Sequence, residues 1–216
     1  MRIKMRLDHP RSQKGLMRSA RENFMRVATA TMRSRGIRAI TVGEITGKLG
    51  LSRSSFYLRF DSRSHLIEEV LLAYFDGLRS DAAASVLGVP IGLARLVRIL
   101  EFWIRDHVAQ RGGCLILSGA TECATYGADP IRQAVHRVTT NWRAYLAEQL
   151  RDSVATQQIP DTVDIEQLTF EIFSFVLGIQ HDCVFLGEPV SFRGRLFQRI
   201  LERNGVVLCK KLALRI

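Results

Sequence analysis

The stretch LGLSRSSFYLRF, which runs from Leu49 to Phe60, decides how the N-terminal part of this chain folds. Gly50 favours a left-handed turn, because glycine has no Cβ atom to clash in that conformation. Two residues later, the Ser52 hydroxyl can accept a hydrogen bond from a free backbone amide and so begin a new helix that carries Phe56. The stretch therefore predicts the end of one helix, a turn, and the start of another.

The residues before this stretch predict two further helices. Ser19–Glu22 and Thr41–Glu44 both have the S/T-x-x-E form, in which each side chain can satisfy the other end's free amide. Apolar residues then recur at three- and four-residue spacing, and Gly36 is suited to end the first helix. We predict a first helix from Ser19 to Gly36 and a short second helix from Thr41 to Leu49.

Two short helices joined through a glycine form a helix-turn-helix, whose second helix enters the DNA major groove while the first crosses the backbone. The residues expected to point inward and anchor this motif are Leu49, Leu51, Phe56 and Phe60. The expected outer surface consists of Ser52, Arg53, Ser54, Ser55, Tyr57 and Arg59.

The outer surface has the chemistry that DNA binding requires. Arg53 or Arg59 can donate two hydrogen bonds to a guanine edge, and small hydroxyl side chains can approach bases and phosphates closely. Tyr57 can reach a phosphate through its hydroxyl group. Free amides at the helix starts, Thr41 and Ser52, can also bind phosphate oxygens.

The charge distribution supports the same interpretation. The chain of 216 residues has a net charge of +10, and residues 1–63 hold 15 Lys and Arg against 4 Asp and Glu. Residues 64–216 hold 16 basic against 17 acidic residues, so the basic excess lies in the first third. This asymmetry indicates that the front of the chain binds a polyanion. A non-specific nucleic-acid-binding protein remains the first alternative, and a helical enzyme or carrier the second.

Thr41–Leu66, TVGEITGKLGLSRSSFYLRFDSRSHL, resembles the DNA-binding signature of the tetracycline-repressor (TetR) family of transcriptional regulators. The resemblance implies an N-terminal three-helix DNA-binding domain, a larger C-terminal helical ligand-binding domain, and a homodimer formed by C-terminal helices at about residues 163–204. It also implies a double-stranded DNA operator and a small-molecule effector of unknown identity. Carried over by position, the DNA-facing residues are Ser52, Arg53, Ser54, Ser55, Tyr57 and Arg59, with Thr41 and Arg63 on phosphates.

The rest of the chain shows helical periodicity and no alternating strand pattern, so we predict an all-α fold. One predicted helix begins at Asp61 or Ser62 and ends near Ser80, and the others cover Ile91–Ala109, Leu115–Tyr126, Asp129–Ser153, Val163–Leu186 and Phe192–Asn204. The predicted organisation is a flexible basic arm (1–18), a helix-turn-helix DNA-binding domain (19–64), and a helical ligand-binding and dimerisation domain (65–216).

Aromatic residues near the centre of the predicted bundle are candidates to line a ligand pocket, although packing in the core is the favoured interpretation for any one of them. They are Phe102, Trp103, Trp142, Tyr145 and Phe170. Cys114 and Cys123 are candidates for redox sensing if their thiols are acidic.

No catalytic, metal or cofactor site is predicted. The four cysteines include no CxxC pair, and neighbours in the trio His181, Asp182 and Cys183 should point in different directions on a helix. No stretch approaches the roughly 18 apolar residues of a membrane span. We therefore expect a cytoplasmic protein that is not an enzyme and does not enter a membrane.

Overall fold

A computed structural model of the chain describes residues 11–124, 129–190, 194–206 and 214. Every secondary-structure element in these ranges is helical, which confirms the predicted all-α class. The helices are α1 (Arg11–Arg35), α2 (Val42–Leu49), α3 (Arg53–Tyr57), α4 (Arg63–Ser85), α5 (Leu93–Trp103), α6 (Leu115–Cys123), α7 (Pro130–Ala155), α8 (Ile165–Gln180) and α9 (Gly194–Arg203). A 3₁₀ turn, Ile37–Ala39, separates α1 from α2, and π-helical turns, Ile104–Val108 and His181–Leu186, continue α5 and α8.

Four of the predicted helix starts carry a capping side chain. An oxygen of each capping side chain accepts a hydrogen bond from the backbone amide three residues later, at distances between 2.9 and 3.2 Å. These caps are Thr41, Ser52, Ser62 and Asp129. Gly50 has φ 64° and ψ 28°, the left-handed turn that the sequence predicts between α2 and α3.

The predicted start of the first helix at Ser19 is wrong. Helix α1 begins at Arg11, so the Ser19–Glu22 pattern lies inside the helix, and residues 11–18, predicted as part of a flexible arm, are helical. The stretch RSQKGLMR contains mostly residues of high helix propensity, which allows the helix to extend past the internal serine. Residues 1–10 of the predicted arm lie outside the described residues.

Three phenylalanine rings form the core of the N-terminal helices. Phe24 of α1 meets Phe56 of α3 edge-on at 5.7 Å between ring centroids and meets Phe60 at 5.9 Å. Phe56 and Phe60 stack at 5.4 Å, and all three side chains are fully buried. Leu51, which we predicted to be a fourth inward anchor, is instead 37% exposed, because the turn at Gly50 carries it past the edge of this cluster.

Helix α7 lies at the centre of the C-terminal part and packs against α4, α5, α6 and α8. Trp103 of α5 and Trp142 of α7 meet edge-on at 5.1 Å, and both are fully buried. Helix α4 extends to Ser85, beyond the predicted end near Ser80, and Ala82 in the added turn is buried. Burial of that turn explains why the helix continues where the polar residues after Leu78 suggested an end.

The N-terminal helices meet the C-terminal part through a close backbone contact at Gly112. This glycine has φ +86°, and a Cβ atom added there would lie 2.2 Å from the Arg33 carbonyl oxygen at the end of α1. A side chain at this position would force the two segments apart. The loop before α6 therefore rests directly on the backbone of α1.

This contact predicts opposite effects for two glycine-to-alanine substitutions. Gly112→Ala should lower the free energy of unfolding by about 2–4 kcal/mol, because it combines an unfavourable left-handed alanine with a backbone clash. Gly47→Ala is the matched control, since an added Cβ meets no atom within 4 Å in the described structure and the residue lies inside α2. It should raise the free energy of unfolding by about 0.5–1 kcal/mol. Urea denaturation measures both, and equal midpoints for Gly112→Ala and the parent chain would contradict the contact.

Candidate nucleic-acid interface

Helix α3 presents a polar face to solvent because its apolar face is buried against α1. Phe56 is fully buried, whereas Ser52, Arg53 and Ser54 are exposed and Tyr57 is 57% exposed. The helix has only five residues, so burial of Phe56 fixes which residues point outward. The structure thus brings Ser52, Arg53, Ser54 and Tyr57 together on one accessible surface, as predicted.

Arg53 lies over the first turn of α2. A Cβ atom added at Gly43 would be 3.3 Å from Arg53 Nη2, so the missing side chain of Gly43 leaves room for the guanidinium group. Arg53 forms no hydrogen bond or ion pair within the described part of the chain. Its donors are therefore available to an external acceptor, and no sequence pattern indicated that Gly43 would make room for them.

Arg59, in the turn that follows α3, is held against that helix rather than extended outward. Its Nη1 donates to the Ser55 carbonyl oxygen at 2.6 Å and to the Ser55 Oγ at 3.0 Å. Its own carbonyl accepts a hydrogen bond from Arg21 Nη1 at 2.5 Å. Arg59 and Ser55 are both half-buried, so the structure separates them from the accessible surface to which the sequence assigned them.

Arg63 also points two donors into the protein. Its Nε donates to the Ile40 carbonyl oxygen at 2.5 Å and its Nη2 to the Arg38 carbonyl oxygen at 2.7 Å. Burial lowers the pKa of Arg63, although a guanidinium group remains charged in proteins. This side chain joins the first turn of α4 to the segment that enters α2. The sequence predicted a phosphate contact here and missed this internal role, because it depends on residues more than twenty positions away.

Thr41 is exposed and caps α2, but the capping box around it is only half formed. Its hydroxyl accepts the Glu44 amide hydrogen bond at 3.2 Å. The Glu44 carboxylate contacts Arg35 at 2.6 Å and Lys48 at 2.8 Å. The start of α2 therefore lies beside two exposed cationic side chains.

Arg21 is a functional candidate that local sequence patterns did not reveal. Its guanidinium group lies 4.6 Å from the centre of the Phe60 ring and contacts the Glu69 carboxylate of α4. The same group donates to the backbone of Arg59. Arg21 therefore ties α1, the end of α3 and α4 together behind the exposed surface.

The predicted aromatic ligand pocket is wrong as a single site. Trp103 and Trp142 fill the core, where Trp103 Nε1 donates to Cys114 Sγ at 3.4 Å. Tyr145 stacks on Trp142 at 5.3 Å. Phe170 is 58% exposed on the outside of α8, and therefore cannot line an interior cavity with the others.

Phe102, the remaining member of the predicted set, also packs in the interior. Its ring lies 5.2 Å from that of His107, whose Nδ1 is 3.0 Å from the Tyr74 hydroxyl. Burial lowers the pKa of His107 and so favours the neutral imidazole. These contacts give Phe102 a packing role.

The structure places Cys123 and the His181 segment in the following surroundings. Burial raises the pKa of Cys123, and nearby Arg38 opposes this shift only in part, so the acidic thiol required for redox sensing is not found there. His181 Nδ1 lies 3.2 Å from Asp182 Oδ1, so these neighbours do meet, contrary to our expectation from helix geometry. The π-helical turn displaces them from ordinary α-helical positions. No cluster of three potential metal ligands occurs among the residues that the structure describes.

Two family models and one related protein match parts of this chain. A family model described as bacterial regulatory proteins, tetR family, matches residues 24–70, and one described as tetracyclin repressor-like, C-terminal domain, matches residues 92–194. The HTH-type transcriptional repressor BdcR of Escherichia coli K12 is 29% identical over 134 residues, which is 60% of this chain and 67% of BdcR.

Solved structures show the same fold at low sequence identity. A TetR-family transcriptional regulator from Cytophaga hutchinsonii superposes with a TM-score of 0.73 at 14% identity, covering 95% of this chain and all of that one. A protein described as a putative TetR-family regulator from Rhodococcus sp. gives a TM-score of 0.69 at 21% identity, covering 83% of this chain and 95% of that one. The helical architecture is thus shared along most of the chain.

Arg53 and Arg59 differ in their internal hydrogen bonds, so substituting each should impair DNA binding in a different way. Arg53→Ala should lower discrimination between matched and mismatched base pairs by about 1–3 kcal/mol, because its free guanidinium group can reach a base edge. Arg59→Ala should weaken binding to all sequences similarly, because Arg59 supports α3 from behind. Titration of duplexes that differ by single base pairs separates the two effects. Arg98→Ala is the control, because Arg98 lies on α5, outside the helix-turn-helix. Loss of discrimination only in Arg59→Ala would reverse the assignment.

Proposed function

We propose that this chain, which belongs to the tetracycline-repressor (TetR) family of bacterial transcriptional regulators, represses transcription as a homodimer and releases its operator when a small molecule binds. The observation that carries the proposal is the exposed polar face of α3, fixed by the phenylalanine cluster behind it. The name of BdcR, a transcriptional repressor, supports repression in preference to activation. Members of this family are regulators, which argues against the enzyme alternative.

The accessible residues divide the proposed DNA contacts into two groups. Arg53, with Ser54 beside it, reads base edges from the start of α3. Thr41, Ser52 and Tyr57 bind phosphate oxygens and set the position of the helix in the major groove. Ser55, Arg59 and Arg63 act from behind by holding the backbone in place. This division keeps Arg53 on bases and Thr41 and Tyr57 on phosphates, as the sequence predicted, and moves Ser55, Arg59 and Arg63 from DNA contact to support.

The outer face of α8 supports dimerisation. Phe170, Leu177 and Val184 are 58%, 40% and 47% exposed and recur every seven residues along α8 and its π-helical continuation. Phe185, next to Val184, is 78% exposed. Heptad spacing of apolar residues is the pattern by which two helices pack against each other. A second copy of the chain, presenting the same stripe, covers this face.

Two interpretations of α8 and its π-helical continuation compete: a membrane span and a contact with a second chain. Ile165–Leu186 is the one stretch in the described residues that is long and apolar enough to cross a membrane. Length and composition of one helix are weak evidence, and a third of its apolar window is buried within this fold. Glu171 in its middle is bound by Asn204 at 3.0 Å and Arg203 at 3.0 Å. We therefore place this helix in a dimer interface of a cytoplasmic protein.

A polar contact supports communication between the two parts of the chain. Arg38, in the 3₁₀ turn before α2, contacts Asp129 at 2.5 Å, and its backbone amide donates to Glu122 of α6 at 3.4 Å. The hydrogen bond from Arg38 lowers the pKa of Asp129, which also caps α7. An effector that moves the corner between α6 and α7 thereby moves the segment leading into α2. Such an effector acts only if it binds the two arrangements with different affinity.

Selection of duplexes from a random DNA pool tests the proposed function. At salt high enough to suppress non-specific phosphate binding, the chain should enrich a palindrome whose half-sites lie about one helical turn, or roughly 34 Å, apart. The Arg53→Ala variant should enrich a more degenerate sequence. If no sequence is enriched and binding disappears as salt rises, the chain is a non-specific nucleic-acid-binding protein instead.

A single substitution on α8 tests the proposed dimer. Leu177→Glu places a charge in the centre of the apolar stripe and should shift the chain from dimer to monomer in sedimentation velocity. Leu87→Glu is the matched control, because Leu87 is 82% exposed in the loop after α4 and should leave the dimer intact. The monomeric variant should also lose affinity for a full palindrome far more than for a half-site. A dimer that withstands Leu177→Glu would require a different interface.

A further inference from the structure

A groove between α6 and α7 differs from the aromatic set that the sequence indicated. It encloses a cavity of about 230 Å³, and its walls include Ala120 and Cys123 of α6 and Val135 of α7. This volume is below the roughly 300–1,000 Å³ of sites for drug-sized ligands. The groove therefore suits a small molecule with a compact apolar body.

The polar lining of the groove is cationic. Arg132 and Arg143 lie eleven positions apart on α7, about 16 Å along the helix axis, and the exposed side chain of His136 lies between them. No carboxylate belongs to the lining formed by residues 11–124 and 129–190. The Arg143 guanidinium group lies 5.5 Å from the centre of the Phe173 ring, without an ion-pair partner in the described structure. The groove thus favours an anion over a cation.

Thr139 supplies an unusual hydrogen-bonding group at the same place. Five other threonines in helices donate their hydroxyl hydrogen to the carbonyl oxygen four residues earlier, at 2.6 to 3.3 Å. These are Thr29, Thr31, Thr46, Thr121 and Thr169. The Thr139 Oγ1 atom is buried in the groove lining and has no hydrogen-bond partner among the described residues. A buried hydroxyl group without a partner is costly, and a ligand that binds it explains its presence.

We propose that this groove binds a small carboxylic acid, whose carboxylate is held by Arg143 and by the Thr139 hydroxyl once rotation about the Thr139 Cα–Cβ bond turns it from its buried position into the groove, and whose apolar body lies against Val135 and Ala120. Thr139 and Arg143 are four residues apart on α7, so their side chains lie on the same face of the helix. An arginine and a hydroxyl together provide the donors that a carboxylate accepts. This inference rests on the proposed function, for which it supplies the chemical class of the effector.

One end of the groove lies beside the contact of Arg38 with Asp129, which joins the N-terminal helices to the C-terminal part. Cys123 lines the groove, and the Cys123 Sγ atom is 3.9 Å from Arg38 Nη2. The backbone amide of Arg132, at the other end of the lining, donates to Asp129 Oδ1 at 2.9 Å while Asp129 Oδ2 binds Arg38. The Cys123 and Arg132 end of the groove therefore adjoins the contact that positions the start of α2, while the proposed carboxylate site at Thr139 and Arg143 lies farther along α7.

Calorimetric titration of the full chain with hexanoate, hexylammonium and hexanol tests the ligand class, because these probes share an apolar body and differ in charge. Hexanoate should bind, whereas hexylammonium and hexanol should bind at least about tenfold more weakly. Absence of hexanoate binding, or equal binding of the three probes, would overturn the proposal.

Four substitutions locate the binding. Arg143→Gln and Thr139→Val should each weaken hexanoate binding by about tenfold or more. Arg137→Gln and Thr121→Val are matched controls, since Arg137 pairs with Glu68 and Thr121 bonds within its helix. Without ligand, Thr139→Val should melt at the same or a higher temperature, because it removes a buried hydroxyl group without a partner. Unchanged hexanoate affinity in Thr139→Val would place the ligand elsewhere and overturn the assignment.

These titrations contain no DNA, so they separate the groove from the regulatory function. Hexanoate binding with the predicted variant pattern, in a chain that enriches no operator, would retain the acid site and remove the regulator proposal. Operator enrichment without hexanoate binding would retain the regulator proposal and remove the acid site.

Discussion

The contact among Phe24, Phe56 and Phe60 is the constraint on which the DNA-binding surface depends. A five-residue helix such as α3 is far below the length at which a helix is stable in water by itself, about 12–15 residues. It exists here because Phe56 is buried against α1 and because Ser52 caps its first turn. The same burial turns Arg53 and Tyr57 outward, so the stability of α3 and the exposure of the candidate DNA-binding surface follow from one packing arrangement.

Polar contacts behind α3 refine this arrangement without replacing the aromatic core. Arg21 lies over Phe60 and also contacts Glu69, and Arg59, in the turn after α3, bonds to the backbone of that helix. Partly exposed ion pairs of this kind contribute little to stability, typically about 0–1 kcal/mol. Their value is geometric, because they fix the angle between α3 and α4. In the proposed dimer, this angle sets how the two recognition helices face successive turns of DNA.

The sequence predicted local features well and distant contacts poorly. The caps at Thr41, Ser52 and Ser62 and the turn at Gly50 were predictable, because each depends on residues within four positions. The inward turn of Arg63 was not, because its acceptors are carbonyl oxygens 23 and 25 positions earlier.

The aromatic residues show the same limitation for the candidate site. Periodicity indicated that Trp142 and Phe170 belong to amphipathic helices, but it did not show that one is buried and the other faces outward. Whether a helix face meets the core, a ligand or a second chain depends on which other helices surround it. That information is distributed over the whole fold.

The dense interior also limits where a ligand can act. Trp103 and Trp142 occupy the centre of the C-terminal part, and a ligand placed there would have to displace two fully buried indole rings. Large buried side chains typically contribute about 3–5 kcal/mol each, so such a displacement would threaten folding. A site at the edge of α6 and α7 avoids this conflict, because it changes the partly exposed contact of Arg38 with Asp129 and leaves the core intact. A contact that contributes little to stability can be altered by a ligand of ordinary affinity, and this is the physical requirement for a reversible response.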